Sequence, residues 1–452
     1  METTDAVIIG SGQGGVPLAQ KLAQRGRDVV LFERGSFGGS CVNYGCFPSK
    51  AFLASAHAAA RARNAAGLGV QAQVDVDFPA VMERVCQIVQ SSSDGVEEGL
   101  EQADVRTVHA EAAFTDKRTV TGGEVTVQAP LVVLNTGNAP YVPDIPGLAG
   151  TPYLTYQNFW ELRELPPRFL VLGGGYVGVE LGQGMARLGS ETHILEIHDR
   201  IISHEESRVS ETMTTALEKD GVQFHLEIDV SRVDYAEGTF TVRLGNGQTV
   251  QGEALLVATG QKPNTEALNA PEAGIDLDDE GYVEVDEHFR TTCSGVYAIG
   301  DVTGQPAFTH VSYEDHRRLL SILEGGDRAR GDRVQAYAFF TEPEVGRAGL
   351  TLKAAKQEGF NARAVTRPLE QVARAYLTGQ NRGFYRMVID SDTDQILGAT
   401  LVGPDAAELV HVFIAHIEVG STWQLLEQSV HIHPTFAEGL PTLARRLKEN
   451  GA

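Results

Sequence analysis

Residues 38–50 read Gly38-Gly39-Ser40-Cys41-Val42-Asn43-Tyr44-Gly45-Cys46-Phe47-Pro48-Ser49-Lys50. Four residues separate Cys41 from Cys46, so the pair can close a small disulfide ring. Glycines precede it, and a helix-forming run from Ser49 to Ala56 follows. A thiol at a helix N-terminus meets the positive end of the helix dipole, which favours thiolate. The combination suits a disulfide that is opened and closed in turnover. A structural bridge and half of a zinc site are the competing readings. The chain has only 4 cysteines and no secretion signal, which disfavours a structural bridge. Cys86 and Cys293 are isolated, so no ligand set for zinc forms around the pair. Cys86 is expected to be a buried small apolar residue.

Upstream, residues 5–9 read as a buried parallel strand, followed by the G-x-G-x-x-G of Gly10, Gly12 and Gly15. A helix to about Arg25 and a strand from Asp28 to Phe32 then end at Glu33, 23 residues after Gly10. Such glycines let a pyrophosphate approach a helix N-terminus, and the acid can take ribose hydroxyls. Downstream the design repeats. The strand 169–172 leads into Gly173, Gly175 and Gly178, a helix to about Leu188, and a strand 191–195 ending at Glu196, again 23 residues after the first glycine. Both units close on a Thr-Gly, at Thr136-Gly137 and Thr259-Gly260. Two dinucleotide units in tandem are therefore expected. Residues 50–100 look helical, and several short β-type runs lie between Val105 and Val133. Prolines 140, 143 and 146 mark a boundary. From about residue 335, β-type runs at 336–340, 364–368, 384–390 and 396–402 precede helical stretches at 405–419 and 422–428.

A length of 452 residues exceeds one core and implies two to four domains. The net charge of −23 argues against nucleic acid or an anionic membrane as partner. No run of about 18 apolar residues occurs, so no membrane span is expected. The N-terminus shows no basic leader pattern, and a cytoplasmic address is expected.

The motif G-G-x-C-x-N-x-G-C-x-P-S-K resembles the redox centre of the class I pyridine nucleotide–disulfide oxidoreductases, which include dihydrolipoamide dehydrogenase, glutathione reductase and mercuric reductase. Gly300-Asp301, at the end of 296–301, resembles the family's second flavin motif. His433-Pro434-Thr435 with Glu438 resembles its H-P-T-x-x-E. The resemblance runs through all 452 residues. It implies an α/β fold with two tandem Rossmann-like domains and a C-terminal α+β dimerisation domain. The expected division is 1–148 for FAD with the redox disulfide, 149–267 for NAD(P), 268–334 as the second part of the FAD and central region, and 335–452 for the dimer interface. FAD contacts are implied at Gly10, Gly12, Gly15, Glu33, Arg34, Lys50, Thr136, Gly137, Gly300 and Asp301. NAD(P) contacts are implied at Gly173, Gly175, Tyr176, Gly178, Glu180, Glu196 and Gly260.

The resemblance further implies a relay from reduced nicotinamide through FAD to the Cys41–Cys46 disulfide. In it Cys46 is the thiolate beside the flavin and Cys41 the thiol that exchanges with substrate. Lys50 pairs with Glu180 near the flavin, and His433, oriented by Glu438, serves the partner subunit's site as acid–base residue. His431 has no counterpart in the motif and is taken as structural or interface-forming. Tyr176 resembles the tyrosine that covers the nicotinamide pocket in glutathione reductase. Glu196 favours NADH over NADPH, because an acid holds the ribose diol and repels a 2′-phosphate. The chain has no cysteine after Cys293, and it carries the histidine that mercuric reductases usually lack. Both points favour a small disulfide or dithiol, or a lipoyl domain, as substrate of a homodimer without a resident metal. A mercuric-reductase-like metal-ion or quinone reductase is the alternative. A flavoprotein redox sensor is disfavoured by the intact set of site residues.

Overall fold

The computed structural model describes residues 1–449. The run Ala6-Val7-Ile8-Ile9 has no polar side chain and is buried throughout, as a strand covered on both faces must be. It occupies the middle of a five-stranded sheet in the order Val296–Ala298, Leu131–Leu134, Ala6–Ile9, Val29–Glu33, Arg106–His109. Every neighbouring pair is parallel. The crossover helix is Gly15–Ala23. A second parallel sheet has the order Val222–His225, Glu191–Leu195, Arg168–Leu172, Ala254–Val257, with the helix Tyr176–Leu188 as its crossover. The two sheets share a register. Ile9 stands opposite Phe32 and Leu134, and Leu172 stands opposite Leu195 and Val257. The fold is mixed α/β with two tandem parallel units.

The C-terminal part is an antiparallel sheet of Ala336–Phe339, Glu344–Gly349, Ile396–Gly403, Phe384–Asp390 and Ala362–Pro368, in that order. It contains one strand more than the four β-type runs expected. Glu344–Gly349 was hidden because it does not alternate. The helix Ala406–Glu418 presses against it so closely that a Cβ on Gly346 would lie 2.3 Å from the Ala406 carbonyl oxygen. Small residues fill such a strand, and the period-two signal disappears.

The expected continuous helical stretch over 50–100 is corrected to two helices, Cys46–Arg63 and Phe78–Gln102, with a short 3₁₀ turn at Ala65–Leu68 between them. Asp77 starts the second by accepting the Ala80 N–H, with a proline in its first turn. Cys86 is half-buried rather than buried, with its sulfur 3.8 Å from the Trp160 carbonyl oxygen. Among the described residues no helix is long and apolar enough to cross a membrane. Nor is any group of three or more His, Cys, Asp or Glu placed to hold a metal ion.

Candidate active site

The thiol loop is held by its own residues. Gly38 has φ +103° and leads into the short helix Gly39–Asn43, which carries Cys41. The Asn43 amide donates to the carbonyls of Phe37 and Gly39, both at 3.0 Å. Cys46 opens the helix Cys46–Arg63, and Lys50 follows one turn later on the same face.

Both cysteines are free thiols here. The Thr309 hydroxyl lies 3.0 Å from the Cys46 sulfur, and the Cys41 thiol is its neighbour. The neighbouring Cys41 thiol is the main cause that pulls the Cys46 thiol down to about 6. Thr309 and the Lys50 charge add to it, while burial opposes it. The neighbouring Cys46, with burial, pushes Cys41 far up. One thiol is thereby prepared as thiolate while the other keeps its proton. Lys50 Nζ lies 2.9 Å from Glu180 Oε2, an ion pair between the redox helix and the helix Tyr176–Leu188. Glu180 is 5% exposed, so the pair is fixed at its acidic end.

These groups open onto a cavity of about 1010 Å³, which also receives Gly10, Gly12, Glu33, Arg34, Thr136, Gly137, Tyr176 and Asp301. Glu33 accepts from the Ser11 N–H (2.9 Å) and the Gly35 N–H (2.7 Å), so it braces the first glycine turn. Gly15 belongs to that turn as well, where its N–H donates to Asn135 Oδ1 at 2.8 Å. Arg34 reaches Glu111 at 2.8 Å. Gly300 has φ +74° and donates its N–H to Asp315. Tyr176 packs at a tilt against Phe308, with ring centroids 5.9 Å apart.

Of the second nucleotide set, Tyr176 and Glu180 line this cavity, while Gly173, Gly175, Gly178, Glu196 and Gly260 lie outside it. Glu196 Oε2 accepts the Gly174 N–H at 2.6 Å, and Oε1 accepts the His198 N–H at 2.9 Å. Gly173 makes the turn with φ +107°, and Gly178 in the first turn of the helix Tyr176–Leu188 packs on it, since a Cβ on Gly178 would meet the Gly173 carbonyl oxygen at 2.0 Å. Gly175 precedes the helix, and Gly260 has φ +135°. His433 and Glu438 form a third group. His433 Nδ1 and Glu438 Oε2 are 2.7 Å apart, with His433 73% exposed. Neither lines the thiol cavity of its own chain. His431 lies beside Ser429.

Thr309, Phe340 and Asn135 were not singled out from the sequence. Thr309 and Phe340 come from distant chain segments and carry no motif. Asn135 stands in the strand-end run 131–137, where only its bonds to Gly15 N, Ile299 O and Ser312 Oγ reveal its role as a tether.

A thiol pair between two nucleotide-type units defines the class of enzymes that exchange electrons between a dinucleotide and sulfur. The family profile described as pyridine nucleotide-disulphide oxidoreductase matches residues 4–315, and the dimerisation domain of the same family matches residues 335–444. The chain belongs to this family. It is an oxidoreductase acting on sulfur groups, with FAD as its flavin, and the dimerisation domain supports a homodimer. Dihydrolipoyl dehydrogenase of Halobacterium salinarum is 32% identical over 448 residues, covering 96% of this chain and 94% of that protein. Mercuric reductase of Staphylococcus aureus is 31% identical over 446 residues, covering 97% and 82%. A copper(II) complex of the HOCl-induced flavoprotein disulfide reductase RclA from Escherichia coli superposes with a TM-score of 0.91 at 29% identity, over 99% of this chain and 100% of that one.

The cavity residues fit FAD. The Thr136 hydroxyl is buried without a hydrogen-bond partner in the protein. Asp301 is half-buried, and desolvation, ahead of the neighbouring Asp315, pushes its carboxyl up to about 7. Polar groups left this way suit the hydroxyls of a ribityl chain.

Proposed function

We propose that this chain is a dihydrolipoamide dehydrogenase-like, NADH-linked disulfide oxidoreductase. In the reducing direction the balance is NADH + H⁺ + R–S–S–R → NAD⁺ + 2 R–SH for an open disulfide, and a cyclic disulfide gives one dithiol. The observation that carries this reading is the thiol pair itself, with Cys46 drawn down to about 6 between Cys41, Thr309 and Lys50. FAD, when bound, supplies two-electron transfer between nicotinamide and the thiols. Cys46 is the thiolate on the flavin side. Cys41 exchanges with the substrate sulfur, one S–S bond forming as another breaks. Lys50, fixed by Glu180, sets a positive charge at the flavin end of the cavity. Gly10, Gly12, Gly15, Glu33, Arg34, Thr136, Gly137, Gly300 and Asp301 hold FAD. Gly173, Gly175, Tyr176, Gly178, Glu196 and Gly260 hold the nicotinamide dinucleotide. The corresponding division of the chain is at residues 148, 267 and 334.

His433, oriented by Glu438, moves the proton at the thiol of the other subunit. Its exposure supports this placement, as does the exposed apolar surface of Val430 and Ile432 around it. NADH is preferred because the Glu196 carboxylate is pinned by two amides at the ribose position, while Arg200 is turned to Asp199 and the Ser203 carbonyl. The protein acts in the cytoplasm on a small disulfide or a lipoyl domain.

A second reading is a metal-ion reductase using the same thiols. The likeness to the copper(II) complex of RclA and to mercuric reductase favours it. NADH oxidation with Cu(II) or Hg(II) far above that with lipoamide or glutathione disulfide would select this reading. The test of the first is an anaerobic titration of the holoenzyme with NADH and with NADPH. A long-wavelength thiolate–flavin band after one two-electron equivalent supports the thiol relay. Bleaching without that band removes it.

A further inference from the structure

We propose that Phe340 is a positioning residue for Lys50, holding its ammonium at the flavin end of the cavity. Three contacts converge on this one residue. Its backbone N–H donates to Glu180 Oε1 at 2.8 Å, while the other carboxylate oxygen of Glu180 accepts from Lys50. Its ring centroid lies 4.5 Å from Lys50 Nζ. Its carbonyl oxygen lies 3.2 Å from His57 Nε2. Phe340 thus touches both members of the ion pair, one through the backbone and one through the ring.

The segment that carries Phe340 is clamped between two helices. The redox helix presents Lys50, His57 and Arg61 to it, and the helix Tyr176–Leu188 presents Glu180, Gln183 and Arg187. Gln183 bonds both the N–H and the carbonyl of Glu342, at 2.9 and 2.8 Å. Arg187, only 6% exposed, pairs with Glu342 at 2.5 Å and with Asp220 at 2.8 Å. The same guanidinium lies 2.6 Å from His57 Nδ1. Burial and the Arg187 charge hold the His57 pKa down, so the neutral ring accepts at Nδ1 and donates at Nε2 to Phe340. The position of Phe340 is therefore set jointly by both dinucleotide units and the start of the C-terminal sheet.

A lysine ammonium sits on a flexible four-carbon stem. Glu180 alone leaves it free to swing around the carboxylate. The negative face of an aromatic ring supplies a second fixed attraction, and two anchors define a position where one does not. This inference rests on the reading of Lys50 as the charge beside the flavin.

The test is a double-mutant cycle in the holoenzyme with Phe340→Leu, Lys50→Met and the pair, with Phe340→Tyr as the conservative variant. The readouts are the two-electron midpoint potential of the flavin and the rate of its anaerobic reduction by NADH. Phe340→Leu is expected to lower the potential and slow reduction about 3–10-fold with KM for NADH unchanged. Phe340→Tyr restores both, and Phe340→Leu adds nothing in the Lys50→Met background. An equal effect of Phe340→Leu with and without Lys50 overturns the proposal, since Phe340 then acts by packing alone. If Lys50→Met itself leaves potential and rate unchanged, the reading of Lys50 fails, a result distinct from the previous one. Should Phe340→Leu not fold, Glu342→Gln loosens the same segment from its other end and carries the same cycle.

Discussion

The proposed chemistry of this protein turns on how two neighbouring thiols ionise. The Cys46 thiol is pulled down and the Cys41 thiol pushed up, so the half-buried site holds one negative charge rather than two, and Lys50 faces that charge. With the Cys46 pKa near 6, its thiolate is the main form at neutral pH and is lost as the pH falls through that value. The thiolate–flavin band of the two-electron-reduced protein should therefore fade with a midpoint near pH 6 in a spectrophotometric titration. Cys41→Ser should keep the band while disulfide turnover is lost, and Cys46→Ser should abolish it. The opposite pattern would reverse the roles of the two thiols. Thr309→Val removes a donor to the thiolate and should raise the midpoint by about 0.5–1 pH unit. An unmoved midpoint would show that Thr309 does not stabilise the thiolate.

At the level of elements, the strand ends place the acids and the glycines set how closely elements meet. Glu196 follows the strand Glu191–Leu195 and is locked by the Gly174 and His198 amides, so its charge stays at the proposed ribose position. Glu196→Arg, with or without His198→Arg, should shift the ratio of kcat/KM values from NADH toward NADPH. A wild-type enzyme that uses NADPH equally well would remove the basis of that expectation. In the C-terminal sheet, Gly346→Val should cost about 1–3 kcal/mol or more, because its side chain would enter the backbone of the helix Ala406–Glu418. Urea unfolding would read this as a lower midpoint at unchanged slope. A stability within about 0.5 kcal/mol of wild type would mean that the helix moves aside easily.

At the level of the whole molecule, the His433–Glu438 pair lies outside the cavity that holds the thiols of its own chain. His433 is bonded to Glu438 but lines no part of its own thiol cavity. A two-fold dimer with shared sites makes a specific prediction. His433→Ala should cut disulfide turnover by roughly 10²–10⁴-fold. Co-expression of Cys41→Ser and His433→Ala chains should then recover about one quarter of wild-type activity. Half of the dimers are mixed, and each mixed dimer has one site with both groups intact. No recovery would mean that each chain uses its own histidine.

What the sequence by itself determined was whatever local chemistry demands within a short window. The two glycine turns, the acids at the strand ends, the Cys41–Cys46 loop and the H-P-T-x-x-E segment all lie in contiguous runs. A strand buried on both faces, a tight turn and a helix start each require their own residue types locally. The strand Glu344–Gly349 escaped that reading because its small residues answer to a helix that arrives some sixty positions later, and sixty positions leave no period. Only the tertiary structure could bring Thr309 to Cys46 across 263 positions, or the Phe340 amide to Glu180 across 160. Those contacts join residues of separate elements. Their identity follows from how the packed units meet, which no spacing along the chain records.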